Sequence, residues 1–223
     1  RPPSTTDVGR RVPLARGGCG IGIAAGWWAR VGMVTQGVAL SAAVLEAGGT
    51  ENFAIFSSRE RVPGLPGGYE AVVSPHRHEV ANKLVWFPSV ERASGLQAIL
   101  YPYWPPPPRR RPGAPPAAFF VHDLAFRLRP DEVPWQQRAY LGTVLPPALR
   151  NSASVLVPSL STGADLLASY PYPGLADRVH PVGEGPTPLP APGALPAGVE
   201  PGFILAVGTL EARKNYDRPA GAL

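Results

Sequence analysis

Sulfur is nearly absent from this chain. Cys19 is the only cysteine and Met33 the only methionine among 223 residues. One cysteine excludes an internal disulfide and argues against a structural zinc site, and it fits a reducing cytosol. Charge is sparse as well: 17% of residues are charged, with 16 acids against 21 bases and a net charge of +5. A basic surface suits a phosphate-bearing ligand, nucleic acid or an anionic membrane face. An arginine-rich composition drawn from a GC-rich genome explains the same excess. Unbroken apolar runs are also missing. The most apolar stretch, residues 20–45, is interrupted by Gly20, Gly22, Gly26, Gly32 and Gly37 and carries Arg30. That arginine would cost roughly 2.5–3.5 kcal/mol at a bilayer centre, which argues for a folded segment rather than a span. Arg10-Arg11 matches part of a twin-arginine export signal, but Arg16-Gly17-Gly18-Cys19 lacks the apolar residue of a lipoprotein cleavage box. No internal repeat is present.

Proline and glycine are plentiful instead, at 30 and 25 residues. Spread evenly, that quarter of the chain would suggest disorder. The prolines are clustered, with eight in 102–116 and nine in 171–201. The pattern reads as two Pro-rich loops on a folded domain, and the 44% apolar fraction suffices for a core.

Short apolar runs predict strands at 21–25, 53–56, 71–73, 98–101, 117–121, 154–157, 178–182 and 203–207. Helical spacing predicts helices over 35–46, stopped by Gly48-Gly49, over 79–93, over 133–151 and over 162–170. Pro146-Pro147 should kink or divide the third of these. Ser159 or Ser161 is placed to cap the fourth. Alternating strands and helices, with strands that are near-continuous apolar runs, predict an α/β fold: a parallel sheet covered on both faces.

Such sheets bind ligands beyond the carboxyl ends of their strands. His122-Asp123 follows the strand at 117–121. A neutral imidazole there can exchange hydrogen bonds with a sugar hydroxyl, and Asp123 can orient the ring or cap the next loop. A histidine satisfied by backbone partners is the plainer alternative. Arg213-Lys214 follows the strand at 203–207 and opens a helix, where two cations and unpaired N–H groups can hold a diphosphate. Tyr101-Pro102-Tyr103-Trp104, the proline run and Arg109 to Arg111 form either an aromatic and basic lip for a sugar or a polyproline spacer. His76-Arg77-His78-Glu79 has no partners at metal-ligand spacing and reads as a loop. Gly18-x-Gly20-x-Gly22-x-x-Ala25 is similar to a dinucleotide fingerprint, but no clear strand precedes it.

Several weak motifs occur in one order. Val121-His122-Asp123-Leu124 is followed by a basic helix, Gln136 to Arg150. A strand with Pro158-Ser159-x-Ser161 comes next, then Arg178-Val179-His180-Pro181-Val182-Gly183, and finally Val207-Gly208-Thr209-Leu210-Glu211-x-Arg213-Lys214-Asn215. Together they resemble the GT-B glycosyltransferases of the family-4 type. The resemblance covers about 118 to 218 well and reaches more loosely back to residue 20. It implies a Rossmann-like first domain, the N-terminal half of a GT-B fold. The division would be a basic N-terminus at 1–18, that domain at 19–184, a linker at 185–201 and the start of the donor domain at 202–223.

The resemblance also implies a retaining, metal-independent hexosyltransferase with no cofactor. Its partners would be a nucleotide diphosphate sugar and a glycan or lipid-linked acceptor, with no nucleic acid. It would work in the cytoplasm, in peripheral contact with the inner membrane face. His122 would contact the donor sugar, Lys214 with Arg213 would hold the diphosphate, and Gly32, Thr35 and Asp123 would border the donor and acceptor loop. Departures are visible. Val31, Met33 and Val34 replace the glycine and the Arg-Tyr pair of a G-x-G-R-Y-T-like turn. Ala24 stands where relatives have Asp, Gly183-Glu184-Gly185 replaces an N-G-V-D-like turn, and Pro219 falls inside the last helix. The paired-glutamate element of the donor domain is absent from these residues. A binding-only Rossmann-like domain and an NAD(P)-binding Rossmann protein are the alternatives.

Overall fold

The computed structural model describes residues 20–25, 34–76, 82–93, 95–110, 112–183, 193–196, 198–200, 202–205 and 208. Gly32, Arg213 and Lys214 lie outside them. Among the described residues, seven strands form one parallel sheet: β1 (Ile21–Ala24), β2 (Phe53–Ser57), β3 (Glu70–Val73), β4 (Ala98–Tyr101), β5 (Ala117–Phe120), β6 (Ser154–Val157) and β7 (Val179–Pro181). Their spatial order is β3-β2-β1-β4-β5-β6-β7, with every neighbouring pair parallel. The order reverses between β1 and β4, so the crevice of this Rossmann-like sheet opens there, at the carboxyl edge.

Alternate residues of each strand feed two cores. One face carries Ile23, Ile55 and Phe53, covered by Leu45 of helix α1 (Val34–Gly48) and by Val62 in the β2–β3 connection. The opposite face carries Phe56, Ile99, Phe119 and Val155. It is covered by α2 (Phe87–Ala93), α4 (Trp135–Asn151) and α5 (Leu160–Ser169). Gly22 lies in β1 where a Cβ would come within 2.6 Å of Leu96 Cδ1 and 2.8 Å of Phe56 Cε2. Only glycine lets β1 sit at that depth. The same placement disposes of the dinucleotide fingerprint, whose glycines must occupy the turn after the strand and not the strand itself.

Helix ends follow their signals. Gly49, at φ 76°, follows the last residue of α1. Ser159 is the cap of α5, its Oγ accepting from the Thr162 amide at 3.1 Å. The helix expected over 79–93 begins with a π turn, Asn82–Trp86, before α2. Pro88 lies one residue into α2, inside the helical run that opens with the π turn.

Of the two outcomes expected at Pro146-Pro147, a kink or a division, division does not occur: α4 continues from Trp135 to Asn151. Buried Val144, Leu145, Ala148 and Leu149 hold both sides of the prolines onto the sheet, and that packing outweighs the lost N–H groups. Arg178 helps at the far end, where Nη1 donates to the carbonyls of Leu149 at 2.8 Å and Ser152 at 2.6 Å. A cation on these last carbonyls complements the helix C-terminus. The eighth strand is also missing from the described residues. Phe203, Ile204 and Leu205 are irregular and 48%, 73% and 73% exposed. An apolar run becomes a strand only when a neighbouring edge takes its backbone groups.

Candidate functional site at the carboxyl edge of the sheet

β5 ends at Phe120, and His122 stands just past it at the carboxyl edge, one strand from the switch point. The ring is half-buried and held from three directions. Phe120 stacks on it with centroids 4.4 Å apart and 28° between planes. Tyr103, from the loop after β4, packs against it at 5.7 Å. Nε2 lies 3.0 Å from the Pro102 carbonyl. A carbonyl only accepts, so Nε2 carries the proton and the acceptor lone pair of the neutral imidazole is on Nδ1. The backbone partner of the plainer reading is therefore present at Nε2, and it fixes the tautomer.

Asp123 takes the capping role and not the orienting one. Its Oδ1 accepts from the Ala125 amide at 3.0 Å, at the start of the single turn α3 (Ala125–Leu128). A short side chain at a turn entry does this readily.

The aromatic run after β4 reaches across the edge. Tyr103 and Trp104 meet edge to face at 5.1 Å. Trp104 in turn meets Tyr140 of α4 edge to face at 5.4 Å. His122, Tyr103, Trp104 and Tyr140 thus form a continuous half-buried aromatic wall, built from β5, the Pro-rich loop and α4. Flat rings with polar tips suit a sugar, whose faces are apolar and whose edges are hydroxylated.

The loop is not a free spacer. Arg110 Nε donates to Glu91 Oε2 of α2 at 3.1 Å, with side-chain exposures of 13% and 0%. Arg110 Nη2 donates to the Pro115 carbonyl within its own loop. Burial pushes the Glu91 carboxyl above its ordinary value, against the pull of the Arg110 charge and hydrogen bond. The sequence gives no sign of this anchor, because Arg109, Arg110 and Arg111 are equivalent as a string. Tyr140 was equally invisible, since nothing local pairs it with Trp104.

Thr35 lies in the first turn of α1, after the crevice's β1 loop. Gly32, Arg213 and Lys214 fall outside the described residues. His76 is described, and its amide donates to Ser74 Oγ at 3.0 Å, while Ser74 Oγ is bonded to Asn82. That knot closes the loop after β3. Among the described residues, no group of three or more His, Cys, Asp or Glu is placed to hold a metal ion. No helix of the described residues is long and apolar enough to cross a membrane.

The fold and this edge define a Rossmann-like α/β protein with an oriented histidine inside an aromatic wall. No protein-family model matches the chain, and no curated protein matches it.

Proposed function

We propose that the chain is the acceptor-side half of a GT-B-type glycosyltransferase, which moves a hexose from a nucleotide diphosphate sugar to a glycan or lipid-linked acceptor. Mannose is one candidate hexose. The observation that carries the reading is His122: its tautomer is fixed by Pro102, and it stands at the carboxyl edge beside an aromatic wall suited to sugar rings. His122 contacts the donor sugar. Lys214 and Arg213 bind the diphosphate and stabilise it as it leaves, an effect worth several kcal/mol at comparable sites. The order of motifs from Val121 to Asn215 supports the same assignment.

Two measurements test this. Hexose release from GDP- and UDP-sugars by the full-length protein should fall about a hundredfold in His122→Ala, while the melting temperature drops by only a few degrees. Unchanged turnover with a large stability loss sinks the assignment and leaves a purely structural histidine. In a thermal-shift comparison on the 223-residue chain, NADH and NADPH should produce no stabilisation. A clear shift with either would make this a dinucleotide-binding Rossmann protein instead.

A further inference from the structure

α4 has two flanks. At about 100° per residue, Tyr140 lies about 140° round the axis from Trp135, on one side of the buried stripe formed by Val144, Leu145, Ala148 and Leu149. Trp135, Arg138 and Gly142 lie on the other side. There a separate cavity of about 510 Å³ opens between α3, α4 and the end of α5. That is the size of a small-molecule site.

The lining has an unusual charge balance. Arg127 and Arg138 are among the residues that line it, and no Asp or Glu is. Arg138 Nε is buried and has no hydrogen-bond partner among the described residues. The Arg127 guanidinium lies 5.0 Å from the centroid of the Tyr170 ring. The nearby Glu132 is paired with Arg129 at 3.5 Å, not with either cavity arginine. Buried donors are nearly always satisfied, and this one, in a residue beside the cavity, has no partner among the described residues. Flat surfaces complete the lining. Phe126 is buried, Tyr170 is 5% exposed, and Trp135 stands 66% exposed at the cavity.

We propose that this cavity binds a small phosphate monoester carrying a flat ring, with the phosphate between Arg127 and Arg138 and the ring against Trp135. Two cations without a compensating acid favour the near-dianionic charge of a phosphate monoester over a monocarboxylate. A guanidinium fork matches two phosphate oxygens. Arg127 can turn from the Tyr170 face toward the ligand without breaking an ion pair. The site lies across α4 from the aromatic wall and does not depend on the sugar-transfer reading. It gives the protein a second ligand, to which that reading assigns no role.

Calorimetry on the full 223-residue chain tests it with uridine monophosphate, phenyl phosphate, inorganic phosphate and benzoate. Uridine monophosphate and phenyl phosphate should bind, inorganic phosphate at least tenfold more weakly, and benzoate more weakly still. Preference for uridine monophosphate points to a nucleotide source, and equal binding to aryl phosphates in general. Arg138→Ala should weaken both ring-bearing ligands at least tenfold. Trp135→Ala should weaken them severalfold while leaving inorganic phosphate unchanged. Arg127→Gln, at an exposed position, repeats the test should Arg138→Ala fail to fold. The proposal is overturned if no phosphate binds at millimolar concentration, if binding survives both arginine substitutions, or if inorganic phosphate binds as well as the ring-bearing esters.

Discussion

The Pro-rich loop after β4 and the described residues of the Pro-rich stretch after β7 differ in structure. In the loop after β4, Pro102, Pro106 and Pro115 are buried. In the segment after β7, the described residues at 193–196 are exposed throughout. What separates them is a few residues that are not proline. The first segment carries Tyr103 and Trp104, which dock on His122 and Tyr140, and Arg110, which reaches a carboxylate inside the domain. Among its described residues the second has no aromatic until Phe203, which is 48% exposed, and no cation. Proline restrains a chain locally, but only side chains with distant partners place it.

The largest test of that difference is Glu91→Ala. It leaves the Arg110 guanidinium without its counter-charge in a mostly buried setting, and should cost about 3 kcal/mol in urea unfolding. Amide protection in 102–110 should fall with it, and protection in 193–196 should not change. A loss below about 0.5 kcal/mol would mean that the aromatic contacts alone hold the loop. The ion pair also has a pH signature. The Glu91 carboxyl is raised in the folded chain, mainly by burial. The folded state therefore holds this proton more tightly than the unfolded state does. Stability from this group is greatest at low pH and declines as pH rises above the ordinary carboxyl value of 4.5 and through the raised one. Glu91→Gln should remove that decline. An unchanged pH profile in Glu91→Gln would show that burial does not govern this carboxyl.

A smaller effect is expected at the aromatic wall. Trp104→Ala and Tyr140→Ala should each destabilise the domain, and a double-mutant cycle should return a coupling of about 0.5–1.5 kcal/mol, the range for edge-to-face pairs. Zero coupling would detach the loop from α4 and remove the wall as a designed surface.

These anchors also mark how far the sequence could be read. Strand positions were legible because a parallel sheet buried on both faces needs runs such as Ala117 to Val121, whatever surrounds them. The caps at Gly49 and Ser159 were legible because their chemistry is local. That Pro146-Pro147 leaves α4 undivided was not legible, because proline's cost is local while the packing that offsets it is not. The run at 203–205 has a strand's pattern but is irregular and exposed, since its pattern is local and a strand's partner is not. The site divides in the same way. His122 and Asp123 could be placed at a strand end from sequence. The Pro102 carbonyl that fixes the ring, the choice of Arg110 from three adjacent arginines, and the two arginines lining one cavity all depend on contacts between distant segments.

The smallest effect, and the closest comparison of the two segments, comes from matched prolines. Replacing proline by alanine acts largely through the unfolded chain, which gains conformational freedom worth about 0.4–1 kcal/mol. That gain registers in global stability only if the residue is ordered together with the domain. Pro106 is buried in the anchored loop, so Pro106→Ala should cost that entropy and some packing, about 1–2 kcal/mol. Pro196 is exposed, and among the described residues its carbonyl accepts from the Val199 amide at 3.1 Å, within the same segment. Its order can be lost without disturbing the sheet. Pro196→Ala should therefore change the urea midpoint by less than the equivalent of about 0.5 kcal/mol. If both substitutions cost the same, the second segment is ordered as part of the domain, and its exposed prolines are held by contacts as firm as the Glu91–Arg110 pair.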